Sequence, residues 1–214
     1  MTNIWEEEVY KKNKQINKYP HTSVVSNIFR NVKNIENKNL LDIGCGTGNN
    51  LKFFAENSFN CYGLDISPTA VDICKKFINK NNLNSNVIVG ESHKLPYENE
   101  YFDVVVDRAS ITHNSYNFEK CIEEVYRVLR RNGIFIMEIF GKNCSGKKYG
   151  EKINSNLFVN FKEGNFKNSD VFFISYKDIE IFFKDFKILS VSETNTFNHI
   201  EKTNLQLFEI VLKK

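Results

Sequence analysis

Apolar and polar positions along this chain alternate between two periods. Runs of strand length occur at Asn39 to Ile43, Asn60 to Leu64, Asn86 to Val89, Phe102 to Val106 and Gly133 to Ile139. Between them, apolar residues recur at helical spacing over Asn49 to Asn57, Pro68 to Asn79 and Phe118 to Leu129. Upstream, Thr2 to Lys18 reads as a polar helix ended by Pro20. His21 to Val32 reads as a second helix, capped by Thr22 or Ser23, with Val24, Val25, Ile28, Phe29 and Val32 on one face. Downstream, a helix is expected over Tyr176 to Phe183 and strands over Phe186 to Val191 and Leu205 to Leu212. Short apolar strands separated by amphipathic helices predict an α/β fold with a doubly wound, mostly parallel sheet covered on both faces. Gly141 to Asp170 carries no sustained period and reads as a lid or binding loop.

Composition narrows the class. With 214 residues, 41% hydrophobic and 14% aromatic, the chain can bury a full core, and no Pro/Gly/Ser-rich linker divides it. One domain over residues 1–214 is expected, with a helical cover (1–35), a ligand-binding core (36–141) and a variable insertion with the last strands (142–214). No apolar run approaches a membrane span and no signal-peptide pattern opens the chain, so a cytoplasmic protein away from membranes is expected. Five scattered cysteines without a C-x-x-C pair read as buried reduced thiols, and no ligand spacing suggests a metal site. The formal charge of +3 gives little support to nucleic-acid binding. The one basic cluster, Lys11-Lys12-Asn13-Lys14 with Lys18, interleaved with Tyr10 and Tyr19, fits either a surface that contacts phosphate and stacks on bases or, the favoured reading, a solvated helix face.

The chemistry concentrates at Leu40-Leu41-Asp42-Ile43-Gly44-Cys45-Gly46-Thr47-Gly48-Asn49-Asn50. A strand runs into a glycine turn and then a helix start, whose free N–H groups and positive dipole end suit a nucleotide-like ligand. Asp65, 21 residues after Gly44, ends the next strand, near the spacing at which an acid accepts hydrogen bonds from ribose hydroxyls. The spacing is G-x-G-x-G rather than the G-x-G-x-x-G of dinucleotide sites, and Asp42 suits a cationic amino-acid group better than a pyrophosphate.

LDIGCGTG closely resembles the first motif of class I S-adenosylmethionine-dependent methyltransferases of the small-molecule type. Leu95-Pro96-Tyr97 is similar to their "LPF" turn, and Leu129 to Phe135 to their "LKPGG" turn, from which Asn132 and the missing proline depart. The resemblance covers Asn39 to Gly141. It implies a seven-stranded sheet whose last strand inserts antiparallel beside the fifth, with S-adenosylmethionine as cofactor and S-adenosylhomocysteine as product. By the same resemblance Gly44, Cys45, Gly46, Gly48 and Asn49 wall the cofactor and Asp42 meets its ammonium group. Asp65 holds the ribose, Ile66 packs on adenine, and Glu91 or Ser92 approaches the adenine amino group.

Methyl transfer needs alignment and, for a hydroxyl acceptor, a base. The segment Asp107-Arg108-Ala109-Ser110-Ile111-Thr112-His113-Asn114 follows the fourth strand, where open α/β sheets place their ligands. His113 is the first candidate base, because its unperturbed pKa lies near working pH. Asp107 is expected to border the cofactor and to orient the histidine or act as base itself. Arg108 is expected to pair with Asp107 or to hold an anionic group of the acceptor. His21 ranks below His113, and Trp5, Tyr10 and Tyr19 either cover the site or anchor the N-terminal helix. The segment also resembles that of bacterial methyltransferases acting on small biosynthetic molecules, some linked to surface polysaccharide. On that resemblance the acceptor is an oxygen of a sugar or phosphate-bearing metabolite, with Arg108, Lys142, Lys147 and Lys148 available to an anion. An RNA or protein methyltransferase and a non-catalytic cofactor-binding module are the competing readings. Planar-amine methylation is disfavoured, because no Asn-Pro-Pro-Tyr type motif follows the fourth strand. A nicotinamide enzyme is disfavoured by the glycine spacing and the lack of a Tyr-x-x-x-Lys pair.

Overall fold

The computed structural model describes residues 4–214. Its main sheet is built from β1 (Asn39–Ile43), β2 (Asn60–Asp65), β3 (Ser85–Val89), β4 (Phe102–Arg108) and β5 (Leu129–Phe140), closed by β9 (Lys187–Asn198) and β10 (Thr203–Lys213). The strand order is β3-β2-β1-β4-β5-β10-β9. β1 to β5 run parallel, and β10 lies antiparallel between β5 and β9, pairing Val211 with Ile136 on one side and Val191 with Ile210 on the other. This is the seven-stranded order that the family resemblance implies.

Alternate residues of each strand face opposite sides, and each side has its own core. Leu40, Val104, Val106, Ile136 and Val211 pack under α1 (Thr22–Asn31), α2 (Asn49–Glu56) and α3 (Pro68–Lys80). Leu41, Ile43, Val105, Phe135 and Met137 pack under α4 (Phe118–Val128) and α5 (Tyr176–Phe182). The strand order reverses between β1 and β4, so the C-terminal ends of those strands open a crevice at the switch point.

Three expectations change. The long N-terminal helix is replaced by one π-helical turn, Trp5–Tyr10, and a tight turn in which Asn13 takes a φ of 51°; Thr2 lies outside the described residues. Residues 14–20 run without helix: the Tyr19 carbonyl accepts from the Asn49 side chain at the start of α2, Gln15 and Asn17 line the crevice, and no apolar stripe holds a helix together. α1 begins at Thr22 with His21 at its cap position, so neither Thr22 nor Ser23 caps it. Residues 141–170, read as a loop, contain β6 (Glu151–Lys152) and β7 (Leu157–Val159), which with β8 (Val171–Phe172) form a second, three-stranded sheet. Phe158, Phe161, Phe166 and Phe173 give this insertion a core of its own. β9 is also longer than its apolar run, because an edge strand exposed on both faces needs no apolar alternation. No helix among the described residues is long and apolar enough to cross a membrane.

Candidate cofactor and acceptor site

The glycine turn sits at the C-terminal end of β1, and all three of its glycines meet neighbours that exclude a side chain. Gly46 has a φ of 54°, and a Cβ there would lie 2.6 Å from the Tyr10 hydroxyl oxygen. Gly48, at 85°, caps α2 and would collide with Cys74 Sγ. Cys45 lies beneath the turn; contact with Cys74 and burial push its thiol well above the ordinary range, so it is an inert wall. Gly44 meets Ser110 in the same way, which brings the loop after β4 against the turn.

Three buried carboxylates lie at the C-terminal ends of three adjacent strands. Asp65, at the end of β2, accepts N–H bonds from Gly46 (2.8 Å) and Ser67 (2.9 Å), tying the second strand to the glycine turn. Asp42 is 2% exposed, and its Oδ2 has no hydrogen-bond partner. Burial raises its pKa to about 7, against the lowering effects of Asn50 and Arg108. Asp107 is fully buried; Oδ1 accepts the N–H groups of Ser110 (3.1 Å) and Ile111 (2.9 Å), while Oδ2 is unpartnered. Burial pushes this acid well above the carboxylate range. A carboxyl oxygen left without a partner inside a protein is costly, and a ligand that brings N–H groups to it removes that cost and favours the ionised acid.

The segment before α1 covers this crevice. The Glu6 carboxylate accepts from Ser67 Oγ (2.5 Å), Thr69 N (3.1 Å) and Thr69 Oγ1 (2.7 Å) at the start of α3. Asn49 donates to the Tyr19 carbonyl (2.9 Å), and Asn50 Oδ1 accepts from His21 N (3.0 Å), so the first residues of α2 hold the far end of the cover. Tyr10 is buried beside the turn and burial holds its phenol far above its usual range. With the cover in place, the space bordered by Tyr10, His21, Asp42, Gly44, Asn50 and Arg108 measures about 50 Å³.

The remaining candidates fall in distinct places. Ile66 is 43% exposed at the end of β2, beside β3, whose terminal Val89 is 52% exposed; two solvent-facing apolar residues at strand ends suit a flat aromatic ligand. Glu91 is exposed and lies 3.1 Å from His93 Nε2. Ser92 is buried, 3.3 Å from Cys121 Sγ, and accepts from Asn114 Nδ2 (2.9 Å). Arg108 does not pair with Asp107, because neighbours on a strand face opposite ways; its Nε lies 3.1 Å from Glu138 Oε2 instead. Asp107 does not orient His113 either. The His113 ring meets the edges of Trp5 (5.1 Å between centroids) and Phe140 (5.9 Å), and its Nδ1 is buried without a partner. Burial brings its pKa down to about 4, with the Asp170 backbone acting in the opposite sense. Lys142 is paired with Asp178 (2.8 Å), and the Lys147 ammonium lies over the Phe158 ring, so neither faces the crevice as a spare cation. Sequence reasoning missed Glu6, Asn50 and Val89. The apolar end of the Asn86 to Val89 run could have marked Val89, but no local pattern marks the other two. Among the described residues no group of three His, Cys, Asp or Glu side chains is clustered to hold a metal ion.

The chain is similar to known proteins in sequence and in fold. The methyltransferase-domain family matches residues 41–137. An uncharacterised protein of Methanocaldococcus jannaschii is 30% identical over 166 residues, covering 77% of this chain and 71% of that protein. Phthiotriol/phenolphthiotriol dimycocerosates methyltransferase of Mycobacterium leprae is 31% identical over 102 residues, 47% of this chain and 37% of that enzyme. This chain thus spans less than half the length of several curated relatives it matches. A SAM-dependent methyltransferase from Methanosarcina mazei has the same fold, with a TM-score of 0.73 at 19% identity over 92% of this chain and 98% of that one. A glycine turn backed by Asp65, with bare acid oxygens awaiting a cation, fits S-adenosylmethionine as its ligand, and this chain belongs to the class I S-adenosylmethionine-dependent methyltransferases.

Proposed function

We propose that this enzyme methylates an oxygen atom of a small biosynthetic metabolite, a sugar or a phosphate-bearing precursor. The observation that carries the reading is the cover: residues 5–21 cross the crevice and are fastened at both ends, by Glu6 to α3 and by Tyr19 and His21 to α2. An enclosed crevice suits an acceptor that enters whole, whereas RNA or a folded protein needs an open rim and, for RNA, a basic one.

S-adenosylmethionine supplies a methyl group already activated by its sulfonium. The chain's own residues then bind, align and exclude water. In this reading Asp65 accepts from the ribose hydroxyls, Gly44, Gly46, Gly48, Cys45 and Asn49 form the wall, and Asp42 meets the ammonium. Ile66 lies against adenine, with Glu91 and Ser92 at its polar edge. Asp107 borders the cofactor, its carboxyl fixed by the N–H groups of Ser110 and Ile111. His113 takes the acceptor proton: with a pKa near 4 it is neutral at pH 7, and its bare Nδ1 offers a lone pair.

The test is transfer of a labelled methyl group from S-adenosylmethionine, in the presence of chelator, to separate pools of sugars, sugar phosphates, phenols, RNA and protein. Label in a small hydroxyl compound is expected. Label confined to RNA or protein overturns the acceptor class, and cofactor binding without transfer to any pool favours a binding module.

A further inference from the structure

The crevice contains opposed charges for which the cofactor assignment gives a use. Asp42 and Arg108 lie on adjacent strands and on the same face. Asp42 is in register with Val106, and Arg108 is one pleat further along β4, about 7 Å on. Both border the same space, together with His21. Arg108 has one partner among the described residues, Glu138, and that pair uses Nε. Glu138 is itself fixed, since Ser23 Oγ donates to its other oxygen. Nε makes this ion pair without hydrogen-bond geometry, so Glu138 attracts the guanidinium from behind, while its two terminal amino groups have no partner among the described residues. The His21 ring likewise has no hydrogen-bond partner among the described residues; its backbone N–H is held by Asn50. These groups also sense one another, since the Arg108 charge acts on both Asp42 and His21.

A bare carboxylate oxygen one pleat from a forked cation is complementary to an ammonium and a carboxylate carried on one carbon, the head of an α-amino acid. We propose that Arg108, with His21 beside it, clamps the α-carboxylate of S-adenosylmethionine while Asp42 takes its ammonium. This rests on S-adenosylmethionine being the cofactor. It gives Arg108 to the cofactor rather than to an anionic acceptor, and it makes Ser23 and Glu138 positioning residues.

Calorimetric titration distinguishes the two assignments without any turnover. The probes are S-adenosylhomocysteine, which carries the whole amino-acid head, and decarboxylated S-adenosylmethionine, which keeps the ammonium and lacks the carboxylate. Arg108→Met is expected to weaken S-adenosylhomocysteine by about 10- to 100-fold and to leave the decarboxylated ligand unchanged, with Arg108→Lys recovering part of the loss. The double variant Arg108→Met/Glu138→Gln, which strands no buried acid, should behave the same way. Equal weakening of both ligands in both variants would mean that Arg108 only supports the fold. Unchanged binding of both would return it to the acceptor. If the unaltered protein binds neither ligand, the cofactor assignment itself fails and the clamp with it.

Discussion

Glu6 fastens the cover, and removing it should change how fast the cofactor enters. About 50 Å³ remains under the closed cover, whereas pockets for ligands of nucleotide size run to roughly 300–1,000 Å³, so residues 5–21 must swing away before S-adenosylmethionine can bind. Three hydrogen bonds end on the Glu6 carboxylate, from Ser67 and twice from Thr69. Bonds to a charged group contribute about 1.5–3 kcal/mol each at best, and water replaces them when the cover opens, so the whole latch is taken to hold by about one such bond, about 1.5–3 kcal/mol. Glu6→Ala should therefore raise the open fraction by about 10- to 100-fold. Trp5 is the single tryptophan and stands edge-on against His113, so its fluorescence follows the cover directly. Stopped-flow mixing with S-adenosylhomocysteine should show association accelerated by that factor, and amides of residues 5–10 should exchange faster. The Ser67 bond, chiefly, holds the Glu6 carboxyl below its ordinary value of 4.5. The latch is thus intact above that pH and is released only as pH falls through the lowered value. An association rate and exchange pattern untouched by Glu6→Ala would refute the argument.

Asp42 should trade stability for binding. Its folded pKa near 7 lies above the unfolded 3.8, so its burial leaves stability unaffected below about pH 4 and costs progressively more as pH rises to 7. Asp42→Asn is expected to raise the melting temperature at pH 8, leave it unchanged at pH 3.5, and weaken S-adenosylhomocysteine; a lower melting temperature at pH 8 would contradict this. Gly48→Ala should cost about 2–4 kcal/mol in urea unfolding, from the left-handed φ and the clash with Cys74 Sγ. Adding Cys74→Ala should recover the steric share, and strict additivity of the two changes would show that the clash is relieved some other way. His113→Gln should lower kcat by about 10²- to 10⁴-fold with cofactor affinity retained. In the unaltered enzyme the acid limb of the rate profile should fall near pH 4, and an inflection near 6.5 would show that the imidazole is not buried during turnover.

What the sequence disclosed was local. The glycine turn, Asp42 and Asp65 are legible because a strand end, three glycines and a helix start are consecutive in the chain, and the sheet order came with the family resemblance. The cover was illegible for the opposite reason. Glu6 meets Ser67 and Thr69 across some sixty residues, and a glutamate in a polar stretch has no periodicity that distinguishes a latch from a solvated face. The same polar stretch was read as a helix down to Lys18, although its residues serve α2 and the crevice rather than one another. Adjacency alone leaves Arg108 open either to Asp107 or to an anionic acceptor. The pleat sends the two side chains to opposite faces, and only the register with β5 shows Glu138 as its partner. β9 was cut short at Val191 because its Ser-Glu-Thr-Asn-Thr continuation is solvated on both faces, a pattern indistinguishable from loop.

The insertion of β10 between β5 and β9 also bears on how the chain is made. β5 presents Ile134 to Phe140 as an edge from the moment it emerges from a ribosome, and its proper neighbour is not synthesised until residues 203–213. At about 5–20 residues per second that interval lasts several seconds, far longer than hydrophobic collapse takes. For that time a nascent chain carries a nearly complete cofactor crevice next to an unpaired apolar edge. Covering that edge until β10 arrives should therefore raise the yield of folded protein more than any change at the crevice.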